Sequence, residues 1–145
     1  MAMKLDMSKA YDRLEWGFGT HVLANMRFLD HMVNVIKSFI SMVSYKVPIN
    51  RQPSMSFLLE RGLRQGDPVS PYLFILCTNV LSRLLKHDVQ CMNIHGIKVA
   101  RTAPIISHLF FADDCLLFAR ENSCEAERVM TIISRYEAAS GKVAN

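Results

Sequence analysis

The stretch that most constrains this chain is His108-Leu109-Phe110-Phe111-Ala112-Asp113-Asp114-Cys115-Leu116-Leu117-Phe118, where two adjacent carboxylates divide two apolar runs. Each run is too short for a helix that stops and restarts, so the spacing predicts a β-hairpin with the acids at its tip. Strands this apolar are expected to be buried on both faces. An ionised carboxylate held away from bulk water is costly unless something pairs with it. No cationic side chain adjoins the turn in sequence; the nearest is Arg120, beyond the second run. Two readings follow. A metal ion answers the charge, or the acids lie in an exposed turn, whose geometry Asp tolerates well.

The rest of the chain decides between them. Its 145 residues suit one domain, and with half of them hydrophobic it can fill a core. Residues 3–7 read as a short strand carrying Asp6, followed by a helical turn over 9–14 capped by Ser8. Residues 16–26 suggest a helix with one apolar face. Phe28, Leu29, Met32, Val33, Ile36, Phe39, Ile40 and Val43 then form a wide stripe at helical spacing, which is expected to be core. The period changes to two over residues 45–49 and 55–59, with Asn50-Arg51-Gln52-Pro53 as the hairpin loop and Pro48 marking an edge strand. After the polar run Arg61-Gly62-Leu63-Arg64-Gln65-Gly66, two cap-and-proline pairs, Asp67-Pro68 and Ser70-Pro71, start a long helix. Its opening, Tyr72-Leu73-Phe74-Ile75-Leu76-Cys77, is apolar all round and is expected to be deeply buried. Residues 94–99 are a strand candidate. Asn122 with Glu125 resembles a capping pair for a helix with Val129, Ile132, Ile133 and Tyr136 on one face and Gly141 as its C-terminal cap. Residues 142–145 begin a further strand.

This order of elements predicts an α+β fold, an antiparallel sheet backed by helices on one face. In such a sheet the first strand and the acidic hairpin can be neighbours, which would bring Asp6 to Asp113. Three carboxylates, Asp6, Asp113 and Asp114, with no histidine or cysteine beside them favour a hard cation, Mg²⁺ or else Mn²⁺. Two such ions would suit an in-line phosphoryl transfer. The formal charge of +4 tolerates an anionic partner without proving one. Four scattered cysteines without a Cys-x-x-Cys pair read as reduced thiols of an intracellular protein, nuclear or cytoplasmic. An acid arrives before any apolar stretch at the start, which speaks against a signal peptide, and no apolar segment is long enough to span a membrane. Nucleophilic-elbow, dinucleotide and P-loop fingerprints are absent.

Three motifs in order resemble the palm of reverse transcriptases, most closely those of LINE-type non-LTR retrotransposons of plants. Lys4-Leu5-Asp6-Met7-Ser8-Lys9-Ala10-Tyr11-Asp12-Arg13-Leu14-Glu15-Trp16 resembles motif A, residues 61–76 with Gln65-Gly66 resemble motif B, and Phe111-Ala112-Asp113-Asp114 resembles motif C. Residues 139–145 look like the opening of motif D. The resemblance implies that Asp6 and Asp113 hold two Mg²⁺ ions with Asp114 assisting. It further implies that Tyr11 excludes a 2′-hydroxyl and that Gln65 and Gly66 lie by the nascent base pair. Arg64, with Arg61, fits a phosphate or template contact and equally a structural ion pair. The implied partners are an RNA template, a DNA primer and deoxynucleoside triphosphates, with no membrane; the oligomeric state is not legible. Residues 1–145 are expected to form one domain fragment, the palm core, with the fingers mostly preceding Met1 and the thumb following Asn145. A chain without those grips is expected to turn over poorly. An inactive truncated remnant and a nucleic-acid-binding fragment therefore stay open beside the polymerase. The pattern departs from the family at Arg27 and Arg51, where glycine is common, and at Asn79, where Glu is frequent.

Overall fold

Strand β1 (Ala2–Ser8) lies inside a four-stranded antiparallel sheet of order β6-β7-β1-β8, in the company of β6 (His108–Phe111), β7 (Asp114–Phe118) and β8 (Val143–Ala144). The computed structural model describes residues 1–8, 11–42, 44–49, 52–112, 114–141 and 143–144. Alternation along the strands sends Met7, Cys115 and Leu117 into the core, with Met3, Leu5 and Phe110 packed against it. The opposite face carries Lys4, Asp6, Leu109, Phe111, Asp114 and Leu116. The hairpin is therefore buried on one face, not two: Leu109 and Leu116 are exposed and Phe111 is 83% exposed. Apolar residues on both faces look alike in sequence whether or not a second layer covers them.

Among the described residues, four helices supply the other layer. α1 (Trp16–Asn25) and α4 (Ser123–Ser140) pack on α3 (Ser70–Gln90), and α2 (Asp30–Ser41) rests on α1. Leu23, Leu81, Leu85, Val129 and Tyr136 join Leu117 of the sheet in one core. The Tyr136 hydroxyl donates to the Cys77 carbonyl oxygen at 3.4 Å, which satisfies a polar tip inside that core. The opening of α3 is amphipathic in its surroundings, though not in its sequence. Leu73, Phe74 and Cys77 are buried, whereas Tyr72 is 71% and Ile75 62% exposed. Helix α2 also presents more apolar surface than α1 can cover. Ile40 is buried and Phe28, Val33 and Ile36 are packed against the core, while Leu29, Met32 and Phe39 face out. Val43 of the same stripe lies outside the described residues.

Short pairings complete the fold. β2 (Ser44–Tyr45) pairs with β5 (Phe57–Leu58) and β3 (Pro48–Ile49) with β4 (Gln52–Pro53), so Gln52 and Pro53, expected in the hairpin loop, belong to a strand; Asn50 and Arg51 lie outside the described residues. The turn expected after Ser8 is a turn at Tyr11–Arg13 and not a described helix, with Lys9 and Ala10 again outside. The strand expected at 94–99 is reduced to one bridge between Ile97 and Ile106, and the chain bends at Val99 and Ala100.

Helix α4 is held at both ends. Asn122 Oδ1 accepts from the Glu125 N–H at 2.7 Å, and Gly141 closes the helix in the left-handed region at φ 73°. Arg27, after α1, has φ 63°, a conformation that costs an L side chain about 1 kcal/mol relative to glycine. Arg27→Gly is therefore expected to raise the thermal midpoint by about 2–4 °C, read by a circular-dichroism melt.

Candidate active site

The register of β1 against β7 places Asp6 directly opposite Asp114, with Leu5 opposite Cys115 and Lys4 opposite Leu116. Both acids lie on the uncovered face; Asp6 is exposed and Asp114 partly so. Asp113 lies outside the described residues, between Ala112, whose φ of 52° makes the turn, and Asp114. Among the described residues no three metal-ligating side chains cluster, which leaves an acidic pair to which Asp113 is adjacent in sequence.

The pair has a cationic neighbour that the linear sequence hides. Lys4 Nζ lies 3.0 Å from Asp114 Oδ2. Two residues along a strand keep to one face, so Lys4 reaches Asp114 diagonally across the ladder. In sequence the nearest cation is Arg120; the fold adds Lys4. A period-two reading of β1 together with the register would have found it.

Tyr11 follows β1 in the turn and is half-buried. Its ring stacks on Phe74 of α3, with centroids 4.7 Å apart and planes 7° from parallel. Together with Ile75, Asn79, Phe110 and Ala112 these rings border a groove of about 520 Å³ that runs up to the acidic hairpin. Ser82 lines its far end and bonds to His108 Nε2 at 2.7 Å. Burial, with the Lys86 charge adding to it, holds the His108 imidazole below its usual pKa.

The glycine-bearing loop is strapped to the segment after β1. The Leu63 N–H donates to the Tyr11 carbonyl at 2.7 Å, the Gly62 N–H to the Leu14 carbonyl at 2.8 Å, and Trp16 Nε1 to the Gly62 carbonyl at 2.6 Å. Gly62 has φ 92°, and a Cβ there would stand 2.7 Å from the Asp12 carbonyl oxygen, so only glycine allows this approach. Arg61 pairs with Glu15 at 3.6 Å, the structural role left open for it; both side chains are exposed, so the pair contributes little. Arg64 and Gln65 are exposed and line a second recess of about 670 Å³ with Asp12, Tyr45 and Phe57. Gly66 is exposed with φ 85°. The structure therefore brings Asp6, Asp114 and Lys4 together and ties the glycine loop to Tyr11, while Gln65 faces a different recess from the one Tyr11 borders.

The cysteines do not compete for a chemical role. None of the four is in a disulfide, and burial pushes the Cys115 thiol up to about 12, so it stays protonated. Among the described residues no helix is long and apolar enough to cross a membrane.

A family model described as reverse transcriptase (RNA-dependent DNA polymerase) matches residues 1–144. An uncharacterised mitochondrial protein of Arabidopsis thaliana is 53% identical over 66 residues, 46% of this chain and 54% of that protein. The retrovirus-related Pol polyprotein of a type-2 retrotransposable element of Drosophila melanogaster is 33% identical over 119 residues, 79% of this chain and 10% of the polyprotein. The chain thus spans about half the length of one relative and a tenth of the other. Among solved structures, telomerase from Candida albicans, in complex with a fragment of telomeric RNA, superposes with a TM-score of 0.72 at 17% identity, covering 99% of this chain and 26% of that one. Apo telomerase from Candida tropicalis gives 0.69 at 18% identity over 99% of this chain and 27% of its own. At these identities the likeness is one of fold.

Proposed function

The chain belongs to the reverse transcriptase (RNA-dependent DNA polymerase) family, and on that premise we propose that residues 1–145 form the palm core of an RNA-directed DNA polymerase that extends a DNA primer on an RNA template. The observation that carries this reading is the register, which sets the first motif's Asp6 across from the hairpin's Asp114 on an open face. The donor set fits hard cations: carboxylate oxygens, with no histidine or cysteine on that face among the described residues. Asp6, Asp113 and Asp114 would hold Mg²⁺, or Mn²⁺. Two bound ions would supply activation of the primer 3′-hydroxyl and neutralisation of charge on the departing pyrophosphate.

The chain's own residues would position the substrates. The Tyr11 ring, fixed flat on Phe74, would present a wall where a 2′-hydroxyl would otherwise fit. Gln65 and Gly66 would lie beside the nascent base pair, and Arg64 would meet phosphate as an exposed cation. Template affinity would rest largely on phosphate contacts and fall with salt. An intracellular setting, nucleus or cytoplasm, follows from such substrates.

Primer extension on an RNA template with deoxynucleoside triphosphates and Mg²⁺ tests the reading. Incorporation that Asp113→Ala abolishes is the expected result. Salt-sensitive template binding without incorporation would make the chain a binding module. Absence of both would make it a remnant.

A further inference from the structure

We propose that Lys4 is a built-in counter-ion that competes with a divalent cation for Asp114 and so sets how tightly the acidic site takes its ion. The proposal rests on the metal-site reading above and adds to it a residue that chemistry alone would not have nominated. Its basis is geometric. Lys4 and Asp6 share the open face of β1, and the ladder sets Asp6 opposite Asp114. The ammonium of Lys4 reaches Asp114 Oδ2 at 3.0 Å.

The pair is a poor structural tie. The Lys4 side chain is 64% exposed and that of Asp114 39%, and ion pairs in that setting add little to stability. Its effect is on the local field instead. Two carboxylates directly opposite each other on adjacent strands repel, and a cation beside them offsets that repulsion. A divalent cation drawn to the same oxygens would find one of them already engaged and a positive charge a few ångströms away. Coulomb repulsion between them, damped by water and salt, corresponds to roughly a three- to tenfold loss of affinity.

Mn²⁺ binding to the intact chain, followed by electron paramagnetic resonance of the free ion, tests this without reference to turnover. Lys4→Met and Lys4→Gln are each expected to bind Mn²⁺ about three to ten times more tightly than wild type, with the gain shrinking as salt is raised. Lys4→Arg, which keeps the charge, is expected to bind as wild type does. Two neutral variants guard against one being poorly folded, which circular dichroism would report. If wild type binds Mn²⁺ and Asp6→Asn does not, yet the neutral Lys4 variants bind no more tightly than wild type, the counter-ion role is overturned and the metal site stands. If wild type fails to bind Mn²⁺, or binds it equally well after Asp6→Asn, the metal site falls and the role of Lys4 with it.

Discussion

Asp6→Asn is expected to lower template-directed nucleotide incorporation by at least about 10³-fold while leaving the fold intact or slightly more stable. The loss follows from the proposed role, since removing a group that acts on charge developing in the transition state costs on the order of 10²–10³ even for a single hydrogen-bond donor. A metal ligand carries a full charge and should cost more. The stability change has the opposite sign for a reason visible in the sheet. Asp6 stands directly across from Asp114 on the open face, and like charges so placed destabilise a ladder by about 0.2–1 kcal/mol. Lys4 offsets part of this through Asp114. The substitution keeps shape and hydrogen bonding, so a melt and a primer-extension assay on one preparation separate the two effects. A variant that lost activity together with several degrees of stability would point to a structural role for Asp6.

Glu125→Ala is expected to do the reverse, damaging the fold first. Glu125 is 5% exposed and accepts from the backbone N–H of His95 at 2.8 Å and of Arg120 at 3.0 Å. The His95 ring lies 3.0 Å from its other oxygen and Asn122 Nδ2 donates to that oxygen at 3.3 Å. One carboxylate thus ties the segment after α3, the end of β7 and the start of α4. Burial alone would raise its pKa, but the N–H groups of His95 and Arg120, with the His95 ring and Asn122, outweigh that and hold it at about 2. Truncation strands these donors, at a cost of about 2–4 kcal/mol allowing for the nearness of solvent, or roughly 5–15 °C in the thermal midpoint. The sign of the pH effect follows from the lowered pKa. The contribution is fully present above the ordinary carboxylate pKa of 4.5 and is lost as pH falls from there towards about 2. Wild type should therefore lose stability over that interval more steeply than Glu125→Ala does, measured as melts across the acid range.

The sequence is most legible where local chemistry decides structure. Asn122 with Glu125, the periodic face of α4 and Gly141 describe that helix almost to the residue, because capping and periodicity are local. Ser70-Pro71 places the start of α3 to within one residue: the pattern reads Ser70 as the cap before Pro71, whereas Val69 is the cap, without a side-chain cap bond, and Ser70 already belongs to the helix. The hairpin is legible too, since two apolar runs around two acids admit few arrangements, whereas its neighbourhood with the first strand is only permitted by periodicity and is fixed by the sheet order. What periodicity does not report is coverage. Tyr72, Ile75 and Phe111 carry the same apolar signal as their buried neighbours, yet no other described element packs over them. Nor does it report diagonal contacts: Lys4 meets Asp114 from more than 100 positions away in the sequence, visible only once register is known. The Tyr11–Phe74 stack belongs to the same class.

Arg27 shows how a departure from a family pattern becomes physical. The resemblance implies a glycine there, and a φ of 63° is one that glycine adopts at little cost, which accounts for such a preference without reference to function.

The placement of β1 also bears on how fast the site comes into being. Its partners β7 and β8 lie more than 100 residues downstream, so the ladder that aligns Asp6 with Asp114 closes the longest loops in the chain. Such non-local pairings form late, after local helices such as α3 and α4 can already have nucleated. The acidic pair is therefore expected to form among the later folding events. A partly folded chain would display helices and an apolar hairpin but no paired carboxylates, so the chain gains its candidate chemistry only once its tertiary structure is complete.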